Sequence, residues 1–289
     1  MSRCIYPLTA YKPASGQVTF KRDHRTLEQI QLPCGQCVTC RLERTRQWAV
    51  RITHEAQLHE HNYFGTFTYN EGHCPDSLIH KHFQDFLKRL RKRQQVRYFM
   101  CGEYGDIHGR PHFHAALFGL QIPDLKYYKG EGDKTLYTSQ YMEKIWGQGF
   151  CTFGSVTYES AAYVASYITK KIIISNKSPD KLLDHYVDQA TGLIREPEYA
   201  RMSLKPAIAK NWFQKFSTDV TNYDHVIISG REQKPPRYYD KITSPEILTL
   251  NKEKRKIKAQ NTESQNSKLQ LQSLEKITFS KLNLKRKTL

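Results

Sequence analysis

Apolar residues recur along this chain at two periods, and the switch between them marks its elements. From Arg41 to about His61, Leu42, Trp48, Ala49, Ile52, Ala56 and Leu58 recur at helical spacing with arginines opposite, which predicts an amphipathic helix. His54, His59 and His61 fall on that helix and are expected on its solvated side. Tyr63 to Tyr69 is aromatic and β-branched and runs into Asn70-Glu71-Gly72, so a strand and a turn are expected. Phe83, Phe86, Leu87 and Leu90 restore the helical period over 80–95. Val96 to Tyr104 and Arg110 to Phe118 read as two strands of a hairpin whose turn lies at Asp106 to Gly109. A glycine- and charge-rich loop is expected over 121–135, a short helix over 136–146, a strand over 147–156 and a helix over 157–171 capped by Thr157. Residues before 33 read as irregular with short strands. A helix end is expected at 211–216 and a strand at 226–229. Tyr238 and Tyr239 are expected in an extended segment, because two prolines precede them.

The hairpin carries the first candidate chemistry. On a strand, residues i and i+2 share a face, so His112 and His114 present two imidazoles side by side while Phe113 and Ala115 turn to the core. With a four-residue turn, Gly105 faces Arg110 and Glu103 stands opposite His112 on the same face. A slip of one residue would remove it. Two imidazoles and a carboxylate suit a divalent ion, although two histidines on a strand are also found as a plain polar face. Tyr163 and Tyr167 stand one helical turn apart, with Lys170 and Lys171 a turn further on, where they would ease formation of phenolate. Tyr137 and Tyr141, with Lys144, show the same spacing, so spacing leaves the choice between the pairs open.

The second candidate is Cys34, Cys37 and Cys40 in PCGQCVTC, whose two-residue gaps turn the chain back toward one ion. Cys4 is the expected fourth ligand of a structural zinc site, with Cys74 and Cys101 behind it. An iron–sulfur cluster and metal-free buried thiols are the rival readings.

Composition sets the partners. The 289 residues suit one main domain, expected at 62–240, after a cysteine-rich segment and basic helix at 1–61 and before a basic tail at 241–289. Lys and Arg outnumber Asp and Glu by 45 to 28, a net charge of +17 that points to a polyanion such as nucleic acid. Lys88, Arg89, Arg91, Lys92 and Arg93, together with Arg110, are the candidate phosphate contacts. From about Asn251 the chain holds eleven basic and three acidic residues and reads as disordered or weakly helical. There is no apolar run of about 18 residues, so no membrane partner is expected, and the N-terminus lacks the apolar core of a signal peptide. Seven cysteines, an odd number, suit a reducing compartment and a metal better than a disulfide framework.

Taken in order, PCGQCVTCRLERTRQWAVR, FGTFTYN, CGEYGDIHGRPHFHAALFG, SAAYVASYITKK and KPPRYYD resemble segments of the replication initiators of gokushoviruses, single-stranded DNA phages of the microvirus group and members of the HUH endonucleases. The likeness spans nearly all of residues 1 to 240. It departs at Gly65, where the family often carries a larger apolar residue. The resemblance implies an α+β HUH fold, a central antiparallel sheet of about five strands flanked by helices. It also implies a rolling-circle initiator that nicks origin DNA, single-stranded or extruded, through a 5′-phosphotyrosine and later rejoins the strand. His112 and His114 match the paired histidines that bind Mg²⁺ or Mn²⁺, Glu103 the common third ligand, and Tyr163 and Tyr167 the two catalytic tyrosines. The setting implied is the bacterial host cytoplasm, with host replication machinery extending the free 3′ end. A nonenzymatic zinc-dependent nucleic-acid binder and a metal-dependent phosphohydrolase are the rival classes.

Overall fold

The structure is a computed structural model that describes residues 4–14, 17–22, 26–105, 108–175, 186–187, 191–260 and 268–287. The chain divides into two compact units, one of residues 45–256 and one that joins residues 1–44 to 257–289.

The larger unit is built on an antiparallel sheet of seven strands: β3 (Asn62–Thr68), β4 (Arg97–Tyr104), β5 (Pro111–Phe118), β6 (Lys126–Lys129), β7 (Leu136–Thr138), β8 (Cys151–Ser155) and β9 (Tyr199–Met202). They lie in the order β6-β7-β8-β3-β5-β4-β9. Helices cover both faces: α1 (Val38–Ala56), α4 (Tyr158–Ser175) and α5 (Lys210–Tyr223) on one, α2 (His80–Arg91) and α3 (Gln140–Trp146) on the other. Alternation along the central strands sorts the two cores. Phe99, Cys101, Ala116 and Phe118 meet Ala49 and Ile52 of α1 and Ala161, Val164 and Ala165 of α4. Met100, Phe113, Ala115 and Leu117 meet Phe83, Phe86, Leu87 and Leu90 of α2. Because both faces are covered, β4 and β5 read as nearly continuous apolar runs, and the few polar residues facing α4 stand out.

The sheet is two strands wider than expected. The segment expected as a loop over 121–135 contains β6, and the helix expected from Leu136 begins only at Gln140. Leu136 to Thr138 instead form β7, paired with β8 through Tyr137 and Phe153. Ser139 ends that strand and caps α3, its side chain accepting from the Met142 N–H. At the other edge, the short β9 pairs with β4. The segment after Pro236, expected to be extended, closes into one helical turn, Arg237–Asp240, with Pro236 just before it, where a missing N–H costs nothing.

Gly65 on β3 has a steric reason. A Cβ there would lie 2.8 Å from Phe67 Cε2 and 3.2 Å from Phe153 Cε1, in the aromatic core beneath the sheet. Gly65→Ala should therefore cost about 1–3 kcal/mol of stability. A urea midpoint that does not fall would show that these rings can give way freely.

The smaller unit holds the hairpin of β1 (Leu8–Pro13) and β2 (Thr26–Leu32) and the start of α1. Its basic tail, expected as disordered or weakly helical, contains the helix Lys268–Lys287, and a helix over Pro245–Gln260 precedes it. The physical reason is a partner from the other end of the chain: Leu271 and Leu282 pack on Ile5, Cys37 and Val38. No helix among the described residues is long and apolar enough to cross a membrane.

Candidate functional site

The hairpin register places the site. Cα partners run Glu103 to His112 and Cys101 to His114, and Gly105 donates its N–H to the Arg110 carbonyl at 2.9 Å. The Gly109 N–H closes the turn on the Gly105 carbonyl at 2.9 Å, with Gly109 in the left-handed region at φ +57°. On β3, Thr66 pairs with His114 and Thr68 with His112.

Both imidazoles converge on one carboxylate oxygen. His112 Nε2 lies 2.8 Å and His114 Nε2 2.6 Å from Glu103 Oε1. The far nitrogens are engaged as well: His112 Nδ1 is 3.1 Å from the Arg110 carbonyl and His114 Nδ1 is 3.0 Å from Thr66 Oγ1. Such outer partners fix ring orientation and leave Nε2 of each ring directed into the site. Glu103 is buried, and burial alone would raise its pKa. Hydrogen bonds to His112 and His114 and the charges on those rings win, holding it at about 2. A carboxylate kept ionised between two imidazoles, with all three ligand atoms within 4.8 Å of one another, fits a divalent cation.

The two tyrosines of α4 complete this end of the sheet. Thr157 caps the helix by accepting from the Ser160 N–H at 3.2 Å, while Ser160 Oγ accepts from the Thr157 N–H at 2.9 Å. Ala161, Val164 and Ala165 turn into the core, which leaves Tyr163 beside the histidines. Its hydroxyl donates to Glu103 Oε1 at 3.0 Å, and the Tyr167 hydroxyl donates to the Tyr163 oxygen at 3.0 Å. The Tyr163 ring stands edge-on to His114 at 5.2 Å, with Phe64 stacked on His114 at 5.5 Å. The helix runs through Lys170 and Lys171, whose side chains lie outside the described residues.

The competing tyrosine pair does not form. Tyr137 lies on β7 and Tyr141 on α3, where its ring faces the Arg93 guanidinium at 5.6 Å. Tyr239 is buried, and so is His54, against the solvated position that its own helix suggests. His54 Nδ1 lies 2.6 Å from the Tyr239 hydroxyl and its ring stacks on Trp212 at 3.5 Å. Burial pushes its pKa down to about 3.

The basic cluster divides. Arg89 donates to the Ile145 and Trp146 carbonyls at 2.7 and 2.8 Å, tying off the C-terminus of α3, and Arg91 reaches the Val96 carbonyl. Arg110 donates to the Tyr69 carbonyl at 2.7 Å. Lys88 is exposed beside Asp85, and Lys92 and Arg93 are exposed at the mouth of a cavity of about 400 Å³ that Tyr141 and Lys144 also line.

In the smaller unit, Cys4, Cys34, Cys37 and Cys40 come together with all four sulfurs within 4.8 Å of one another, whereas Cys101 is buried under the large sheet. Cys4 and Cys37 Sγ are 3.8 Å apart. Burial would raise the Cys37 thiol, but the Thr39 hydroxyl and the N–H groups of Cys40 and Ile5 bring it down to about 6. Cys40, buried and next to Cys37, is driven up.

Sequence reading misses Thr66 and Phe64. Their role depends on β3 pairing with β5, a long-range choice that no local pattern encodes.

A central antiparallel sheet with paired histidines on one strand, faced by a helix bearing two tyrosines, is an HUH-like arrangement. A family model described as a replication-associated protein of the ORF2 kind matches residues 62–172, the stretch that contains Glu103, both histidines and both tyrosines. The chain is 34% identical over 251 residues to replication-associated protein VP4 of Bdellovibrio phage phiMH2K, covering 82% of this chain and 75% of that protein. It is 29% identical over 294 residues to replication-associated protein ORF2 of Spiroplasma virus 4, covering 90% and 87%. With replication-associated protein ORF4 of Chlamydia phage 1 it shares 32% identity over 191 residues, covering 60% and 48%. No solved structure matches. The chain belongs to the replication-associated proteins of microvirus-like phages.

Proposed function

We propose that this protein initiates rolling-circle replication as a metal-dependent nickase, cutting one strand of its phage origin through a 5′-phosphotyrosine and later rejoining the ends. The observation that carries the reading is the hydrogen bond from the Tyr163 hydroxyl to Glu103 Oε1, the oxygen on which both histidines converge. A nucleophile and a cation-binding set thus share one atom.

Glu103, His112 and His114 would hold Mg²⁺ or Mn²⁺, which when bound supplies Lewis-acid polarisation of the scissile phosphate. Tyr163 attacks phosphorus in line as phenolate, its proton passing along the hydrogen bond toward Glu103 and on to solvent. The bond from phosphorus to the 3′ oxygen breaks, and that oxygen leaves with the electron pair and takes a proton. The 5′ phosphate remains on the Tyr163 oxygen, so the bond energy is kept. The free 3′-OH can then be extended by host replication machinery. After one round, Tyr167 cleaves the regenerated origin and the new 3′-OH attacks the Tyr163 adduct, releasing a closed circle without ATP. Lys170 and Lys171 are proposed to neutralise the phenolate or the leaving oxygen. The net charge of +17 favours the DNA partner, and the cut strand must be single-stranded or extruded for its phosphate to reach a shaped site.

Incubating the protein with origin single strands and Mn²⁺, followed by denaturing electrophoresis, is expected to give a covalent protein–DNA adduct that the double variant Tyr163→Phe/Tyr167→Phe lacks. Cleavage without an adduct would instead identify a phosphohydrolase. DNA binding without cleavage would identify a nonenzymatic binder.

A further inference from the structure

We infer that Cys4, Cys34, Cys37 and Cys40 form a tetrathiolate zinc centre whose task is to hold together a small unit assembled from both ends of the chain. The centre lies outside the nickase site and shares no residue with it.

Geometry supports zinc first. Zinc–sulfur bonds of about 2.3 Å in a tetrahedron place sulfurs about 3.8 Å apart. Cys4 and Cys37 Sγ stand at 3.8 Å, and all four sulfurs fall within 4.8 Å of one another. The sulfurs are also furnished as thiolates. The Cys34 N–H points at Cys4 Sγ at 3.2 Å, and the Gln36 and Cys37 N–H groups point at Cys34 Sγ at 3.4 and 3.3 Å. Gly35 makes this turn possible at φ +75°, a conformation that other side chains resist. Backbone donors aimed at sulfur stabilise negative charge and fix sulfur direction, as outer partners of a metal do.

The second argument is what the unit lacks. Its buried apolar cluster is Ile5, Cys37 and Val38, with Leu42, Leu271 and Leu282 packed against it. Residues 1–44 and 257–289 carry fourteen Lys and Arg against five Asp and Glu, so self-repulsion opposes compaction. Units below about 70–80 residues seldom hold on a core of this size without a staple. Cys37 supplies both sulfur and core, and Ile5 follows Cys4. A single ion therefore ties the N-terminal segment, the start of α1 and the packing surface of the C-terminal helix into one cluster. On binding, the thiol protons pass to solvent and no redox change occurs.

The test uses the full chain purified without added metal. Elemental analysis should give about one zinc per chain, retained in His112→Ala/His114→Ala, which removes the other cation-binding group, and lost in Cys34→Ser/Cys37→Ser. Because that cysteine variant can fail to fold, a second measurement is made on the wild-type protein. Exchange of its metal for Co²⁺ should give the strong absorption of a tetrahedral site together with sulfur-to-cobalt charge-transfer bands. Hydrogen exchange should show protection of residues 4–13 and 268–282 lost when the metal is stripped. Iron with acid-labile sulfide, a disulfide between Cys4 and Cys37 in nonreducing mass spectrometry, or a metal-free wild type whose four thiols react freely would each overturn the assignment.

Discussion

Tyr163→Phe is expected to slow the first nick of an origin strand by at least about a thousandfold, whereas Tyr167→Phe should slow it only by roughly 10- to 150-fold. The asymmetry comes from the direction of two hydrogen bonds. The Tyr167 hydroxyl donates to the Tyr163 oxygen, and the Tyr163 hydroxyl donates to Glu103, the carboxylate shared by the histidines. Tyr163 is 37% exposed, so a phosphate can approach it, while Tyr167 is 5% exposed and sits behind it. When Tyr163 ionises, the Tyr167 O–H is already aimed at the new charge. Removing that donor costs one charge-assisted bond, about 1.5–3 kcal/mol. Removing the Tyr163 oxygen eliminates the better-placed nucleophile and leaves only attack from a buried phenol.

Single-turnover cleavage with excess enzyme isolates the first step. Peptide mapping of the adduct should find DNA on Tyr163 in the wild type and, at low yield, on Tyr167 in Tyr163→Phe. An equal loss for the two variants would mean that the tyrosines exchange roles before the first cut. A larger loss for Tyr167→Phe would reverse the order. Rejoining should depend on Tyr167 more strongly than the first nick does, since the second cleavage falls to it.

Much of this site can be read from the chain because its geometry is local. Glu103, His112 and His114 belong to one hairpin, and a four-residue turn fixes their register once Gly105 is set opposite Arg110. Tyr163 and Tyr167 are neighbours by helical spacing alone, but preference for them over Tyr137 and Tyr141 rests on resemblance to a family. Structure supplies the physical reason: a strand and a serine cap part Tyr137 from Tyr141. What is not legible depends on distant partners. β6, β7 and β9 have three or four residues each, too few for alternation to show, and they exist because an edge was available to pair with. His54 looks solvated on its own helix, yet Trp212 and Tyr239, more than 150 residues away in sequence, cover it. Arg89 and Arg91 look like phosphate contacts, but the carbonyls that occupy them lie on the end of α3 and the loop before β4. The helix at Lys268–Lys287 finds its apolar neighbours beside Cys37.

Glu103→Gln is the variant that should uncouple the cation from the tyrosine while preserving shape. With the carboxylate charge gone, Mn²⁺ affinity is expected to fall by at least about 100-fold, more than the loss of an outer partner would cause. Binding then changes stability by mass action. At a Mn²⁺ concentration about 100 times the wild-type dissociation constant, the wild type gains about 2.7 kcal/mol, and a variant weakened 100-fold gains only about 0.4 kcal/mol. Thermal unfolding with and without Mn²⁺ reads that difference directly, independently of DNA. Acid provides a second readout in the ion-free protein. The Glu103 pKa is depressed from its ordinary 4.5 to about 2, so its contribution to stability is complete above the ordinary value and drains away as pH falls toward 2. Stability of Glu103→Gln should therefore fall less steeply than that of the wild type across that window. A variant that kept both the full Mn²⁺ shift and the wild-type acid slope would show that the carboxylate neither binds the ion nor pairs with the histidines. The hydrogen bond from Tyr163 would then be packing rather than chemistry.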